Sequence, residues 1–264
     1  MCKKPKLSVI MGVYNCAPYL QEALDSLYAQ TFQDFEIILC EDGSKDNTYG
    51  VAKHNADLHT NIKLMRNERN MGLNVTLNRC LAIAQGEYIA RMDGDDISDF
   101  TRFEKEVSFL DNHPEYAIVS TPMNYFDEAG IFMVGDEIGE PSKVDFIKGT
   151  PFCHAPCMVR KEAYDAVGGY SISDYLLRVE DYHLWMKMYM KGFRGYRINE
   201  PLYNMRDDRN AQHRRTWKNR RNEVYVKILV WKNLNLPFYY LIFCLRPIVA
   251  AILPSWLYIY LHKG

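Results

Sequence analysis

The apolar positions of the first hundred residues follow two alternating periods. Short, mostly apolar runs, each interrupted by one polar residue, occupy residues 7–11, 35–40, 62–65 and 88–92 and are typical of buried strands. Segments with apolar residues at helical spacing lie between them, at residues 18–27, 46–57 and 73–84. Strands that alternate with helices through short connections predict βαβ units. We therefore expect an α/β fold with a mostly parallel, Rossmann-like sheet flanked by helices.

Polar side chains cluster where three of these predicted strands end. Tyr14 and Asn15 follow the first strand, Glu41 and Asp42 follow the second, and the Asp-Gly-Asp-Asp string at residues 93–96 follows the fourth. In a parallel sheet, ligands collect at the carboxyl ends of the strands. The sequence thus predicts a binding site where these clusters meet.

The pattern becomes less regular beyond residue 96. Further helices are predicted at residues 102–112, 161–167, 180–191 and 210–233, and further strands at residues 117–120 and 157–160. The helix at residues 210–233 is strongly basic. The chain contains no internal repeat and no low-complexity linker.

The segment at residues 238–261 is almost entirely apolar and aromatic. Its 24 residues are long enough for a transmembrane helix. Arg246 in the middle, together with Pro247 and Pro254, argues against a simple span. The segment is rich in tyrosine, which is enriched where a membrane meets water. We expect short helices in the cytoplasmic face of a bilayer; the alternatives are a helical pair packed on the domain itself and a contact with a second copy in a homodimer.

Length, composition and charge narrow the class of protein. At 264 residues, with 48% apolar and 25% charged residues, the chain has the balance of a folded protein with one large or two modest domains. Its net charge of −1 argues against a nucleic-acid-binding protein, which would be clearly basic. No apolar stretch precedes the first strand, so we expect no export signal.

The charge is unevenly distributed along the chain. Residues 205–264 contain eleven Lys or Arg and three Asp or Glu, a net charge of +8, so residues 1–204 carry −9. An acidic body with a basic, aromatic tail is typical of a cytoplasmic enzyme that touches an anionic membrane, although a solvated basic helix would have the same composition. The seven cysteines are odd in number and scattered, as expected for free thiols in a reducing compartment.

Asp93 and Asp95 lie two positions apart on the loop that leaves a buried strand. Carboxylates with this spacing can bind Mg²⁺ or Mn²⁺ and leave coordination positions open for phosphate oxygens. Such a cation would neutralise the charge that develops on a departing diphosphate. The Asp-Gly-Asp-Asp string is also common in ordinary turns, but its place after a predicted strand favours the metal site.

Six segments of the chain resemble the family 2 glycosyltransferases of the bacterial surface-polysaccharide type. They are residues 8–15 (SVIMGVYN), 26–32 (SLYAQTF), 36–44 (EIILCEDGS), 70–72 (NMG), 86–96 (GEYIARMDGDD) and 180–185 (EDYHLW). They occur in the family's order and span roughly residues 6–205. The resemblance implies the GT-A fold, a nucleotide-sugar donor, Mn²⁺ or Mg²⁺ as cofactor, and inversion of the anomeric carbon.

The resemblance also implies roles for particular residues. Tyr14 would stack on the donor base, and Asp42 would form a hydrogen bond with a ring nitrogen of that base. Asp93 and Asp95 correspond to the family's Asp-x-Asp, which meets the ribose, the metal and the diphosphate, with Asp95 as the direct metal ligand. Asp181 would be the general base, which takes the proton of the acceptor hydroxyl while the nucleoside diphosphate leaves from the opposite face.

Other residues have weaker signals. The family often carries a histidine in a loop like residues 152–156, so His154 is a candidate metal ligand, with Asp207 and His213 as further candidates for the metal or acceptor site. A single histidine is more often a structural hydrogen-bonding residue. Without the resemblance, Glu180 and Asp181 would be interpreted as an acidic helix start that the helix dipole favours.

Together these observations predict a transferase. We expect a catalytic domain at residues 1–205, with a nucleotide-binding half (1–100) and an acceptor half (101–205), and a helical tail at residues 206–264. The expected reaction moves one sugar from a nucleotide sugar to a lipid-linked or surface-polysaccharide acceptor at the inner face of the cell membrane. A UDP-sugar is favoured by its frequency in the family.

Two alternative functions stay open at the level of sequence. A sugar-nucleotide nucleotidyltransferase would carry a Gly-rich loop with an arginine after the first strand, but residues 12–16 contain no basic residue. A catalytically inactive, membrane-tethered scaffold would keep the fold without turnover. The presence of all four aspartates that the resemblance assigns to the site argues against it.

Overall fold

The computed structural model of the protein describes residues 4–207 and 216–252. The strands within them are β1 (Leu7–Val13), β2 (Phe35–Glu41), β3 (Ile62–Arg66), β4 (Tyr88–Arg91), β5 (Ile97–Ser98), β6 (Ile118–Ser120), β7 (Met123–Asp127), β8 (Gly130–Val134), β9 (Met158–Arg160), β10 (Gly195–Arg197) and β11 (Tyr203–Arg206). The α-helices are α1 (Leu20–Tyr28), α2 (Thr48–Leu58), α3 (Leu73–Ile83), α4 (Arg102–Asn112), α5 (Lys143–Lys148), α6 (Lys161–Val167), α7 (Glu180–Met190), α8 (Trp217–Asn233) and α9 (Arg246–Ile252). A 3₁₀ helix spans Phe238–Cys244.

Seven strands form the central sheet, in the order β10-β6-β9-β4-β1-β2-β3. Strand β1 pairs in parallel with β2 and β4, β2 with β3, and β10 with β6. Strand β9 runs antiparallel between β4 and β6. The predicted α/β architecture with a mostly parallel sheet is therefore confirmed.

Both faces of the central sheet are covered, which explains why β1, β2 and β4 are mostly apolar in the sequence. Alternate side chains of β1 enter two different clusters. Ile10 packs on one face with Ile38 and Ile89, whereas Val9 and Met11 pack on the other. Helix α3 contributes to the first cluster, and α1 and α4 contribute to the second.

A second sheet of four strands, in the order β5-β11-β7-β8, is not predicted by the hydrophobic pattern. Strand β7 is mostly half-buried and mixes polar with apolar residues, whereas the apolar run of β8 at residues 131–134 lies on an edge strand and is mostly exposed. Strand β11 pairs with both β5 and β7. Its last residue, Arg206, thereby lies beside the loop that follows β4.

Helix α8 packs against the rest of the molecule through its buried side. Val226 and Val230 belong to the same apolar cluster as Trp185 of α7 and Phe146 of α5. The described part of the predicted tail therefore shares a hydrophobic core with residues 4–205. The predicted boundary at residue 205 does not separate two cores. The predicted beginning of this helix, at residues 210–215, lies outside the described residues.

The apolar segment after α8 forms short helices, as its prolines predict. The 3₁₀ helix and α9 have seven residues each. In residues 4–207 and 216–252, no helix combines the length and the apolar character needed to cross a membrane. The aromatic residues of this segment beyond residue 252 lie outside the described residues.

Candidate active site

A cavity of about 570 Å³ opens at the carboxyl ends of β4, β1 and β2, which are neighbours in the sheet. Tyr14 lines it after β1, Asp42 after β2, and Asp93 and Asp95 after β4. The parallel register of these strands brings their ends to one edge. The expectation that the polar clusters meet in one place is therefore confirmed.

The aspartate loop, residues 93–96, is positioned by close packing on both sides. A Cβ atom at Gly94 would lie 2.7 Å from Cys16 Sγ, so a larger residue would push this loop away from the loop after β1. On the other side, the backbone N–H of Arg206 donates to the Asp96 carboxylate (2.8 Å). The guanidinium Nε of Arg206 donates to the backbone carbonyl of Asp95 (3.1 Å). Strand β11 therefore fixes the loop that carries the two candidate ligands.

The carboxylates of the aspartate loop repel one another. Burial raises the pKa of Asp95, and the charge of Asp93 raises it further. Burial, then Asp93 and Asp95, raise the pKa of Asp96 to about 8. Arg91 forms an ion pair with Asp93, yet the charge of Asp93 still contributes, after burial, to the raised pKa of Asp95. A divalent cation at this loop would relieve the repulsion.

The donor atoms of the loop suit a hard cation such as Mg²⁺ or Mn²⁺, because they are carboxylate oxygens. In the described part of the chain, no group of three or more His, Cys, Asp or Glu side chains is arranged to hold a metal ion. A cation bound by Asp93 and Asp95 would therefore take further oxygen ligands from a diphosphate or from water.

Asp42 is buried at the end of β2 and accepts several hydrogen bonds from the protein itself. Its Oδ1 accepts from the side-chain amide of Asn67 (2.6 Å) and from the backbone N–H of Met71 (2.8 Å). Its Oδ2 accepts from the backbone N–H of Gly72 (3.0 Å). Asp42 therefore holds the loop at residues 67–72 against the cavity, besides offering a carboxylate to a ligand.

Tyr14 presents a ring that is 39% exposed and lies in the cavity wall with Asp42. The next residue, Asn15, adopts a positive φ of 50°. Its backbone N–H donates to the Ser44 hydroxyl (3.0 Å), and its side-chain oxygen accepts from the backbone N–H of Lys45 (2.8 Å). These bonds tie the loop after β1 to the loop after β2. The exposed ring has the geometry that stacking on a flat ligand requires.

Glu180 and Asp181 begin α7, and of the two only Glu180 lines the cavity. Asp181 lies within electrostatic reach of Arg91 and Cys153. Burial and, to a smaller extent, the charge of Glu180 raise the pKa of Asp181 to about 7, against the opposing effects of the Tyr182 backbone N–H and Arg91. A carboxylate with this pKa can accept a proton at neutral pH.

Neither His154 nor Asp207 is among the described residues that line the cavity. His154 Nε2 lies 2.7 Å from the Tyr170 hydroxyl, and burial lowers the pKa of this histidine well below its usual range. Its ring would have to exchange that hydrogen bond, or use Nδ1, to reach a cation. Asp207 donates its backbone N–H to the Phe126 carbonyl, and His213 lies outside the described residues. A ligand role for His154 therefore stays a prediction.

Two cationic residues that the sequence pattern does not single out also line the cavity, namely Arg178 and Lys218. Arg178 lies in the loop before α7, and Lys218 lies in the first turn of α8. Asn222 of α8 connects the two elements, because its side-chain amide donates to the backbone carbonyls of Asp174 (3.0 Å) and Leu177 (3.1 Å). The only sequence signal for this pair is the basic character of α8, which contains Lys218 but not Arg178.

A mostly parallel sheet with an Asp-x-Asp loop at its carboxyl edge is the architecture of glycosyltransferases with the GT-A fold. A model of the family described as Glycosyl transferase family 2 matches residues 8–168. The chain belongs to this family, as the resemblance of its motifs predicts.

Comparisons with individual proteins agree with this family. The chain is 39% identical over 260 residues to the putative glycosyltransferase EpsE of Bacillus subtilis (strain 168), covering 98% of this chain and 94% of that protein. It is 32% identical over 220 residues to the UDP-Gal:alpha-D-GlcNAc-diphosphoundecaprenol beta-1,3-galactosyltransferase of Escherichia coli, covering 80% of this chain and 78% of that protein.

A solved structure shares the fold over the whole chain. The mannosyltransferase PcManGT of Pyrobaculum calidifontis, in complex with GDP-Man and Mn²⁺, superimposes with a TM-score of 0.61 and 20% identity. The match covers 100% of this chain and 80% of that chain. The predicted GT-A fold is therefore confirmed.

Proposed function

We propose that this protein transfers one sugar from a UDP-sugar to a hydroxyl group of a lipid-linked or surface-polysaccharide acceptor, with inversion of the anomeric carbon and with Mn²⁺ or Mg²⁺ as cofactor. The observation that carries this proposal is the cavity that joins the aspartate loop to the acidic start of α7. A diphosphate at the loop and a hydroxyl near α7 would meet in that cavity.

The walls formed by the loops after β1 and β2 support binding of the donor nucleotide. Tyr14 offers an exposed ring for the base, and Asp42 offers a fixed carboxylate for a ring nitrogen. The E. coli relative is named for UDP-Gal, whereas the P. calidifontis mannosyltransferase binds GDP-Man. We favour a UDP-sugar because the E. coli relative is more similar in sequence.

The aspartate loop supports binding of a divalent cation, with Asp95 as its direct ligand and Asp93 beside it. When bound, the cation would supply positive charge to the diphosphate that leaves the sugar. The mutual repulsion of the loop carboxylates supports this assignment, as does the Mn²⁺ in the P. calidifontis mannosyltransferase.

Asp181 would remove the proton from the acceptor hydroxyl. The oxygen of that hydroxyl then attacks the anomeric carbon from the face opposite to the departing nucleoside diphosphate, so a single displacement inverts the configuration. One carboxylate is sufficient for this reaction, because the diphosphate needs no protonation by a second acid. Glu180 competes for the role of base, since it lines the cavity.

The acceptor is proposed to be attached to a lipid at the cytoplasmic face of the membrane. The E. coli relative is named for a GlcNAc-diphosphoundecaprenol, a sugar that a diphosphate joins to a lipid. The basic charge of residues 205–264 and their exposed aromatic residues support peripheral association with anionic lipid.

Substitution of Asp181 tests the proposed base. We expect Asp181→Asn to bind UDP in the presence of Mn²⁺ within about twofold of the wild type, because its side chain would not touch the nucleotide. We expect the rate of sugar transfer to a GlcNAc-diphospholipid to fall by about a hundredfold to ten-thousandfold, since an amide cannot accept the proton. Calorimetry measures the first quantity and chromatography of the product measures the second.

Glu180→Gln is the matched control, because it removes the neighbouring carboxylate in the same way. We expect this variant to keep most of the activity. An inactive Glu180→Gln beside an active Asp181→Asn would assign the base to Glu180. A wild-type protein that hydrolyses or transfers no UDP- or GDP-sugar in Mn²⁺ would instead support an inactive scaffold.

A further inference from the structure

Arg178 and Lys218 place two positive charges in the cavity wall. Both side chains are exposed. Within the described residues, neither forms a hydrogen bond or an ion pair, whereas Arg91 is paired with Asp93 and Arg206 is paired with Glu22. The first two cations are therefore free to bind an anionic group of a substrate.

The backbone of Arg178 is strained in a way that the fold maintains. Its φ is 69°, in the left-handed region that favours glycine and that a long side chain rarely adopts. Asn222 of α8 holds the preceding segment by hydrogen bonds to the carbonyls of Asp174 and Leu177. A glycine at residue 178 would relieve the strain. The arginine at this place is therefore a candidate for a function that requires its charge.

An exposed apolar face of α8 begins beside these cations. Trp217, Tyr225 and Ile228 lie at helical spacing on one side of the helix and are exposed, with Arg221 on the same side over the Tyr175 ring; we call the three apolar residues the α8 stripe. Tyr175, in the loop that carries Arg178, packs against Tyr225 with ring centroids 5.3 Å apart. Positive charge next to an exposed apolar stripe complements an amphiphile with a phosphate head.

We propose that Arg178 and Lys218 bind the phosphate group of a lipid-linked acceptor, and that its hydrocarbon chain lies along the α8 stripe. This inference rests on the proposed function and names the part of the acceptor that the site recognises. Arg178 precedes Asp181 by three residues, so its charge is close in the chain to the proposed base. In an acceptor with a single sugar joined to the lipid through phosphate, that phosphate must lie within the length of one sugar ring of the reacting hydroxyl.

The diphosphate of the donor is the other phosphate that could reach these cations. It is assigned above to the aspartate loop, which follows β4, whereas Arg178 lies in the loop before α7 and Lys218 at the start of α8. Loss of either cation should therefore weaken acceptor binding and leave nucleotide binding unchanged. The two sources of phosphate can be separated by titrating each alone.

The experiment uses full-length protein with farnesyl diphosphate as the acceptor probe and UDP as the donor probe. With the donor site filled by saturating UDP and Mn²⁺, we expect Arg178→Gln and Lys218→Gln each to weaken binding of farnesyl diphosphate about tenfold or more. We expect the affinity for UDP to stay within about twofold. Lys232→Gln is the matched control, because it removes an exposed charge from the last turn of α8, and it should change neither affinity.

Arg178→Gly distinguishes a binding role from a structural one. We expect this variant to unfold at a higher temperature than the wild type, because the strain at residue 178 is removed. We also expect its affinity for farnesyl diphosphate to fall as much as that of Arg178→Gln. A loss of UDP affinity with unchanged farnesyl diphosphate binding would assign the cations to the donor and overturn the inference. Unchanged binding of both probes would overturn it as well. The titration repeated without UDP and Mn²⁺ reports on the cations even if the proposed donor site fails.

Discussion

The protonation state of Asp181 determines when the proposed base can act. Burial and the adjacent Glu180 raise the pKa of Asp181 to about 7. A general base must be unprotonated before the reaction, so activity requires a pH above this value. Below it, the fraction of Asp181 that carries no proton falls about tenfold for each pH unit.

The pH dependence of kcat/KM tests this assignment. We expect kcat/KM at saturating Mn²⁺ to be level above about pH 8 and to decline below pH 7 with a slope that approaches one. In Glu180→Gln the inflection should move to lower pH, because a negative charge that raises the Asp181 pKa has been removed. His183 should not contribute near neutrality, since burial lowers its pKa to about 4. A level profile from pH 5.5 to pH 9 would contradict the role of Asp181.

Among the elements, α8 connects the C-terminal region to α5, which lies in the predicted acceptor half (residues 101–205). Lys227 is fully buried, and its ammonium group donates to the backbone carbonyls of Ile147 (2.7 Å) and Lys148 (2.8 Å) at the end of α5. These carbonyls belong to the last turn of a helix, where a positive charge is favoured. Burial lowers the pKa of Lys227 to about 8, which shows that enclosure of the charge is costly. The two hydrogen bonds offset part of that cost.

Replacement of Lys227 measures how strongly α8 is held. We expect Lys227→Met to lower the free energy of unfolding by about 2 kcal/mol, because two buried carbonyls lose their donor while the aliphatic contacts remain. Chemical denaturation monitored by circular dichroism gives this value. The exposed Lys232 lies on the same helix, so Lys232→Met should change it by less than about 0.5 kcal/mol. Equal effects of the two substitutions would show that the Lys227 bonds add nothing to stability.

The elements differ in how well the sequence predicts them. Strands β1, β2 and β4 are buried on both faces, and β3 is a half-buried edge strand; the mostly apolar runs of all four predict them within two residues. Strand β7 mixes polar and apolar residues, and the apolar run of β8 at residues 131–134 is mostly exposed on an edge strand. The pattern of these two strands does not follow burial, so it does not place them in the second sheet.

The residues of the candidate site also divide into those that the sequence predicts and those that it does not. The positions of Asp42, Asp93 and Asp95 in the cavity wall follow from strands that end at one edge of the sheet, a local and predictable property. The placement of Arg178 and Lys218 depends on Asn222, whose bonds to Asp174 and Leu177 join residues 48 and 45 positions apart. Contacts of this separation leave no periodic signal in a single sequence, so only the three-dimensional structure reveals them.

At the scale of the whole molecule, the described residues include two groups of exposed apolar side chains besides the α8 stripe. Five large apolar residues of the segment at residues 238–249 are more than half exposed; these residues, which we call the C-terminal apolar surface, are Phe238, Tyr239, Ile242, Leu245 and Val249. The second place is the edge strand β8, with Ile131, Met133 and Val134. Exposed apolar patches of this kind mark contacts with partners or membranes.

The C-terminal apolar surface is expected to bind membranes. Because Phe238, Ile242 and Leu245 are exposed, their joint replacement by serine should leave the unfolding temperature nearly unchanged. Each side chain contributes about 1 kcal/mol on partial immersion in lipid, so the triple substitution should weaken binding to vesicles at least tenfold. Cosedimentation of full-length protein with vesicles that contain an anionic lipid measures this change.

The edge of the second sheet supplies the matched control for that experiment. Replacement of Ile131, Met133 and Val134 by serine removes a similar exposed apolar area from a different face of the protein, and it should leave vesicle binding unchanged. If both triple variants bind vesicles as the wild type does, the C-terminal apolar surface has another occupant. If that occupant is a second copy of the chain, the wild type should be a dimer in analytical ultracentrifugation, and the variant with serine at Phe238, Ile242 and Leu245 should be a monomer.

Because the basic charge of α8 adjoins this surface, vesicle binding that falls with added salt but not with the serine substitutions would show that charge alone holds the protein to lipid.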